Sequence, residues 1–159
     1  MSPQRTAIVI VASTRAAAGI YDDRSGPIAV EFLRRRGFDC PDARIVPDAD
    51  IAAAVDAAFA EKPAVILTSG GTGLTQDDQT VEAVAPHITR ELPGIAVAFW
   101  QKGLETVPTA VASRAVAGVN DSTFAMTLPG STGGVKDGCA VLEELIVPIV
   151  DMLEGKHEH

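Results

Sequence analysis

The sequence predicts a three-layer α/β/α domain, a mostly parallel sheet with helices on both faces. Two observations carry this. Short β-branched apolar runs, such as Thr6 to Ala12 (TAIVIVA) and Ala64 to Leu67, alternate along the chain with alanine-rich stretches of helical spacing. Hydrophobic residues make up 47% of the chain and aromatic ones only 4%. A core of Ala, Val, Ile and Leu suits strands buried on both faces under alanine-rich helices. The length of 159 residues fits one domain, 1–159, with a core that needs no covalent staples.

The elements follow in order. Thr6 to Ala12 is a buried strand, and Ser13 to Arg24, with Gly19 and Asp22-Asp23, reads as a loop at its C-terminal end. A helix then starts with Ser25 as cap and Pro27 in its first turn, and Gly37 ends it. Ile28, Ala29, Phe32 and Leu33 form its apolar face; Arg34 to Arg36 lie on a solvated face. Ala43 to Val46 is a second strand ending at Pro47-Asp48, and a helix from Asp50 to Glu61 carries Ile51, Val55, Ala58 and Phe59 on one side. Lys62-Pro63 stops it ahead of the third strand.

Thr80 to Arg90 reads as helical with a break at Pro86, Pro93-Gly94 as a turn, and Ile95 to Gly103 as a helix. The Ala and Val content of 107–118 fits strand and loop equally. Thr123 to Leu128 is a strand, and a last helix spans Val135 to Leu153, kinked or restarted at Pro148. Residues 155–159 form a polar, frayed tail.

A formal charge of −8 argues against a general nucleic-acid binder, which needs a basic field. It permits a small anionic ligand, because charges beyond a Debye length of about 8–10 Å are screened. No apolar run approaches a membrane span and the N-terminus lacks signal-peptide features, so the expected location is cytoplasmic. Cys40 and Cys139 lack metal spacing and read as reduced, structural residues.

The third strand runs into Thr68-Ser69-Gly70-Gly71-Thr72-Gly73, with Asp77 and Asp78 close behind. Glycines let a backbone take positive φ and approach a ligand, and successive N–H groups in such a turn converge on an anion. The hydroxyls of Thr68, Ser69 and Thr72 add donors. A tight strand-to-helix turn is the plain alternative, but it leaves the hydroxyls and acids unaccounted for. The other strand ends are Ser13-Thr14, Asp48 and Pro129 to Gly134, so four polar ends converge on the edge where open α/β sheets bind ligands. Both glycine loops are expected to precede helices, whose N-termini favour anions.

Named nucleotide motifs do not fit. No lysine follows Gly73 as a Walker loop requires, and Gly71-Thr72-Gly73 lacks the third glycine of a dinucleotide fingerprint. His87, the one histidine outside the tail, reads as a surface residue. Without a general base or nucleophile, the chemistry narrows to attack by an already ionised substrate phosphate, with Mg²⁺ and positioning doing the rest. Asp48 and Asp78 would hold or orient the metal, with Asp48 as the ligand. Helix capping is the competing reading for each. Arg114 reads equally as a bidentate phosphate partner and as an ordinary surface arginine.

These residues resemble the Mog/MoaB family, the molybdopterin adenylyltransferases of molybdenum-cofactor biosynthesis. The most specific pieces are TSGGTG at 68–73 with Asp78-Gln79-Thr80, and LPGS at 128–131 with the following GGVKDG. DRSGP at 23–27, VPD at 46–48, ELPG at 91–94 and SRAVAGV at 113–119 also match. The resemblance implies the molybdopterin-binding fold, a homotrimer, and molybdopterin and ATP as substrates. It implies transfer of AMP from ATP·Mg²⁺ to the terminal phosphate of molybdopterin, release of pyrophosphate, and hand-off to a molybdenum insertase. Asp48 and Asp78 match the family's essential acids, Ser69 to Gly73 its phosphate cradle, and Ser13, Asp23, Ser113 and Ser131, beside Gly130, positions lining the site.

Asp77, Val81 and Thr132 depart from the family pattern, which favours a non-acidic residue, proline and proline there. Retention of Asp48 and Asp78 favours the enzyme over a binding-only paralogue, and Asp77 keeps that alternative open. A nucleotide-pyrophosphate hydrolase built on the same loops is the third reading.

Overall fold

In the computed structural model, which describes residues 4–155, a six-stranded sheet is sandwiched between two helical layers. The strands are β1 (Ala7–Ala12), β2 (Arg44–Val46), β3 (Val65–Ser69), β4 (Arg90–Glu91), β5 (Ala117–Val119) and β6 (Phe124–Leu128), in the order β2-β1-β3-β6-β5-β4. The first four in that order run parallel; β5 and β4 add an antiparallel edge.

Period-two alternation in the strands feeds both layers. Val9 of β1, Leu67 of β3, and Phe124 and Met126 of β6 face one core. Ile8, Ile10, Ile66 and Ala125 face the other. The first core is closed by α2 (Ser25–Arg35), α5 (Pro93–Leu104), α6 (Thr132–Leu142) and α7 (Ile146–Leu153), through Phe32, Leu33, Phe99, Leu142 and Ile146. The second is closed by α3 (Ile51–Ala60) and the short α4 (Thr80–Val84), through Ile51, Val55, Phe59 and Val84. Burying a Phe or Leu side chain this way contributes about 1.5–3 kcal/mol.

Several sequence expectations need correction. The segment 13–24 is not all loop: Ser13 caps a one-turn helix α1 (Thr14–Ala17), its Oγ accepting from Ala16 N at 3.2 Å. Ser25 does not cap α2. The Asp23 carboxylate does, accepting from the N–H groups of Ser25 and Gly26 at 3.2 and 2.9 Å, while the Ser25 hydroxyl donates to Gly130 O at 2.6 Å. Gly37 ends that helix as expected, at φ +93°.

Helix α4 stops at Val84 and Arg90 has already joined the sheet, because Pro86 allows only one more turn. Pro93 and Gly94 open α5 rather than forming a turn, since proline suits a first helical turn. Residues 107–118 resolve into a 3₁₀ turn, Pro108–Ala112, and β5. The last helix is two, broken at 143–145. Pro148 falls in the first turn of α7, so the interruption precedes it.

His87 is more than a surface residue: its ring stacks on Phe59, centroids 4.2 Å apart, and its Nε2 lies 2.6 Å from Asp56 Oδ1. Cys40 and Cys139 are free and buried. Arg34 is exposed and pairs with Asp42, and Arg35 is exposed, as a solvated face requires; Arg36 instead is half-buried beside Glu143, its Nε buried without a partner. Among the described residues no helix is long and apolar enough to cross a membrane. The expected frayed tail lies outside the described residues, apart from Gly155.

Candidate functional site

The register fixes where ligand can sit. Ala12 pairs with Val46, Val11 with Ser69, and Ser69 with Leu128, so β2, β1, β3 and β6 end side by side. Beyond those ends opens a cavity of about 770 Å³. Ser13, Asp23, Asp48, Ser69, Gly71, Asp78 and Gly130 line it, all named from sequence. Thr14, Arg15, Tyr21, Asp22, Arg24, Asp77 and Thr132 line it too.

The glycine loop is shaped by steric necessity. Gly70 and Gly71 hold φ of +92° and +73°, the left-handed region that L side chains avoid. A Cβ on Gly70 would overlap the carbonyl oxygen of Ala12, and one on Gly71 would overlap Thr80 Oγ1. Gly70 N–H donates to Leu128 O at 3.0 Å, locking the loop onto the end of β6. Gly71 and Thr72 N–H groups donate to no described residue, so the backbone supplies the free donors.

The hydroxyls do not add to them as expected. Thr68 is buried within β3, its Oγ1 without a partner; Ser69 donates to Pro129 O at 3.1 Å; Thr72 Oγ1 pairs with Ser113 Oγ at 3.0 Å. The loop also does not precede a helix directly. Residues 74–79 intervene before α4, a five-residue helix whose first N–H, at Thr80, is spent on Gly71 O at 3.2 Å. The second loop does precede a helix: Ser131 caps α6, its Oγ accepting from Gly134 N at 3.1 Å.

Asp48 begins a 3₁₀ turn, Asp48–Asp50, that leads into α3, and caps neither. Thr14 Oγ1 donates to its Oδ2 at 3.0 Å, while Oδ1 has no partner among the described residues. Asp78 does not cap α4 either. Its Oδ2 accepts from Thr75 N at 2.9 Å and Thr75 Oγ1 at 2.8 Å, closing a small loop. Burial pulls its pKa upward, but the hydrogen bonds from Thr75 and Gly73, helped by the Arg114 charge, outweigh that and hold it below the ordinary value. Asp78 is therefore an anion at neutral pH.

Arg114 matches neither of its two readings. Its Nε donates to Gly73 O at 2.9 Å, its Nη2 to Asp78 O at 2.8 Å, and its guanidinium pairs with Glu82. It is a strut behind the loop, not a group presented to a phosphate. Thr68, Gly70, Thr72, Gly73 and Arg114 thus shape the site from behind. Ser113 and Ser131 line a neighbouring cavity of about 450 Å³ with Phe99, Gly103 and Asp137.

Sequence reasoning missed Arg15, Tyr21 and Arg24 because they fall in a segment read as connecting loop. The signal was its position directly after β1. The carboxylates on the wall are hard oxygen donors without His or Cys, a set that fits Mg²⁺. Among the described residues no cluster of three or more His, Cys, Asp or Glu side chains is arranged to hold a metal. A magnesium ion here would complete its shell with substrate oxygens, as it commonly does on phosphates.

Residues 8–151 match the model of a probable molybdopterin binding domain. The chain is 40% identical over 153 residues to a molybdenum cofactor biosynthesis bifunctional protein of Chlorobaculum tepidum, covering 95% of this chain and 49% of that protein. It is 36% identical to the molybdenum cofactor biosynthesis protein B of Staphylococcus aureus, covering 94% and 89%. The chain thus spans about half the length of the first curated relatives it matches. The solved molybdopterin biosynthesis Mog protein of Mycobacterium ulcerans superposes with a TM-score of 0.90 at 40% identity, covering 97% of this chain and 99% of that one.

Proposed function

The chain belongs to the molybdopterin-binding domain family of molybdenum-cofactor biosynthesis proteins, and from that premise we propose that it is a molybdopterin adenylyltransferase. It transfers AMP from ATP to the terminal phosphate of molybdopterin and releases pyrophosphate. A phosphate oxygen of the pterin attacks the α-phosphorus of ATP, and the bond from that phosphorus to the β-phosphate oxygen breaks. Atoms and charge balance without a protein nucleophile, and an ionised phosphate needs no general base.

The observation that carries this reading is the cavity itself: Asp48, Asp78 and Gly71 line one space at four strand ends. Asp48, with Asp78, would hold Mg²⁺, which when bound neutralises phosphate charge in the transition state. The Gly71 N–H would receive the pterin phosphate, and Ser13, Ser69 and Gly130 shape the floor around it. We further propose a homotrimer that hands its product to a molybdenum insertase; sedimentation as a monomer at working concentration would contradict the assembly.

The test is to incubate the protein with molybdopterin, ATP and Mg²⁺ and look for adenylylated pterin and pyrophosphate. Asp78→Asn is expected to abolish turnover with the fold retained. The binding-only reading draws on Asp77, which adds a negative charge to a wall meant for two polyanions. Pterin bound without product in the same assay would establish it instead.

A further inference from the structure

We propose that Arg15 and Arg24 form a cationic clamp for the polyphosphate of the nucleotide, a role that rests on the adenylyltransferase reading and specifies its nucleotide subsite. The need for such a clamp follows from the charges. The cavity wall carries several aspartates, and a bound nucleotide would bring more negative charge into the same space. Arg114, whose guanidinium reaches the back of the glycine loop, is committed to Glu82 and to the carbonyls of Gly73 and Asp78. The cations left on the wall are Arg15 of α1 and Arg24 at the start of α2.

Both are exposed, and neither forms an ion pair or side-chain hydrogen bond among the described residues, although aspartates line the same cavity. Arg5, Arg34, Arg36, Arg44 and Arg114 all have acidic partners. Free guanidinium forks beside a cavity are suited to gripping phosphate oxygens two at a time.

Their backbone is held at both ends. Ser13 N–H donates to Val46 O at 2.9 Å just before Arg15, and Asp23 caps α2 beside Arg24. The two arginines therefore swing as side chains from fixed roots. Asp23 already occupies the first N–H groups of α2, so the attraction for phosphate at this wall comes from side-chain charge and not from that helix end.

The experiment is calorimetric titration of the intact protein with ATP plus Mg²⁺, and separately with inorganic pyrophosphate. The variants are Arg15→Gln, Arg24→Gln, the double variant, and Arg90→Gln, which lies on a separate groove beside β4. Each single change is expected to weaken binding about tenfold, the scale of one charge-assisted hydrogen bond at an exposed site. The double variant should lose more than either and show a flatter salt dependence, Arg→Lys at both positions should restore part of the affinity, and Arg90→Gln should bind normally. Unchanged melting temperatures separate lost grip from lost fold.

Wild-type affinity in the double variant, equal weakening by Arg90→Gln, or no binding of either anion by the wild type would overturn the clamp. Turnover on molybdopterin is measured in parallel. Arginine-dependent ATP binding without adenylylated pterin keeps the clamp and removes the enzyme reading; adenylylation indifferent to both arginines does the reverse.

Discussion

Thr14 and Asp48, 34 residues apart, hold each other through a reciprocal pair of hydrogen bonds. Thr14 Oγ1 donates to Asp48 Oδ2 at 3.0 Å, and Asp48 N–H donates back to Thr14 Oγ1 at 3.1 Å. The hydroxyl fixes both the backbone entry to the 3₁₀ turn and the rotamer of the carboxylate. Oδ1 is left without a partner among the described residues, on a side chain that lines the cavity. This hydroxyl ties the residues that follow β1 to the turn that follows β2.

Thr14→Val keeps the shape and removes the lock. A lost hydrogen bond to a charged group costs about 1.5–3 kcal/mol when buried and less in a part-exposed pair, so kcat is expected to fall about tenfold. The Mg²⁺ concentration for half-maximal rate should rise, while KM for ATP stays near its wild-type value. Thr14→Ser restores the hydroxyl and should restore the rate. If Val and Ser variants behave alike in a metal titration, the hydroxyl does not position Asp48.

Gly71→Ala tests the glycine loop. At φ +73° an alanine pays about 1–2 kcal/mol for left-handed backbone, and its Cβ also overlaps Thr80 Oγ1, a buried hydroxyl without a partner. The combined cost should lower the melting temperature by about 5 °C or more, at roughly 2–4 °C per kcal/mol for a domain this size. Adding Thr80→Ala removes the worst overlap, with Oγ1, but leaves the Cβ of residue 80 at 2.9 Å and the backbone strain, so the double variant should recover only part of the loss in calorimetry. A single variant that melts normally would mean the loop adopts another conformation.

Strand periodicity made the sheet and its two cores legible, because β1, β3 and β6 are apolar on both faces and nothing else accommodates TAIVIVA or FAMTL. The convergence of Ser13, Asp48, Ser69 and Gly130 followed from parallel order. The hydroxyl roles were not legible. Ser69 and Ser25 spend their donors on Pro129 O and Gly130 O, and the Thr72 hydroxyl is tied to Ser113 Oγ, partners 41 to 105 residues away. Arg114 was misjudged for the same reason: its acidic partner lies 32 residues back, on α4. Local pattern reports what a residue can offer, and tertiary contact decides what remains to offer.

The cysteines supply a prediction independent of the site. Cys40 and Cys139 are 3% and 7% exposed, and burial pushes each thiol up to about 11. At pH 7 a thiol titrating there is about one part in ten thousand thiolate, the reactive form. Both should resist Ellman's reagent in the native protein over hours and react within minutes in denaturant. Rapid native labelling of either would show that the segment around it opens freely.

The strut Arg114 links stability to pH. Hydrogen bonds from Arg114 hold Glu82 below its ordinary 4.5, and the opposing pull of burial is weaker. Asp78 is depressed as well, burial being outweighed by the Thr75 and Gly73 hydrogen bonds. For a carboxylate depressed in the fold, the stabilisation is complete above its unfolded pKa and is lost as pH falls through the folded value. The strut should therefore be at full strength above about pH 5 and fade below about pH 4, near the usual carboxylate range. Glu82→Gln removes one part of this. Because the pair is partly exposed, the variant should be less stable by no more than about 1 kcal/mol at pH 7, and the gap should close toward pH 3. Arg114→Met removes the carbonyl contacts too, so it should cost more at every pH and loosen the turn that carries Asp78. Melting temperatures of the three proteins from pH 3 to 8 decide it: a gap between wild type and Glu82→Gln that stays constant down to pH 3 would mean that the ion pair does not contribute to the fold.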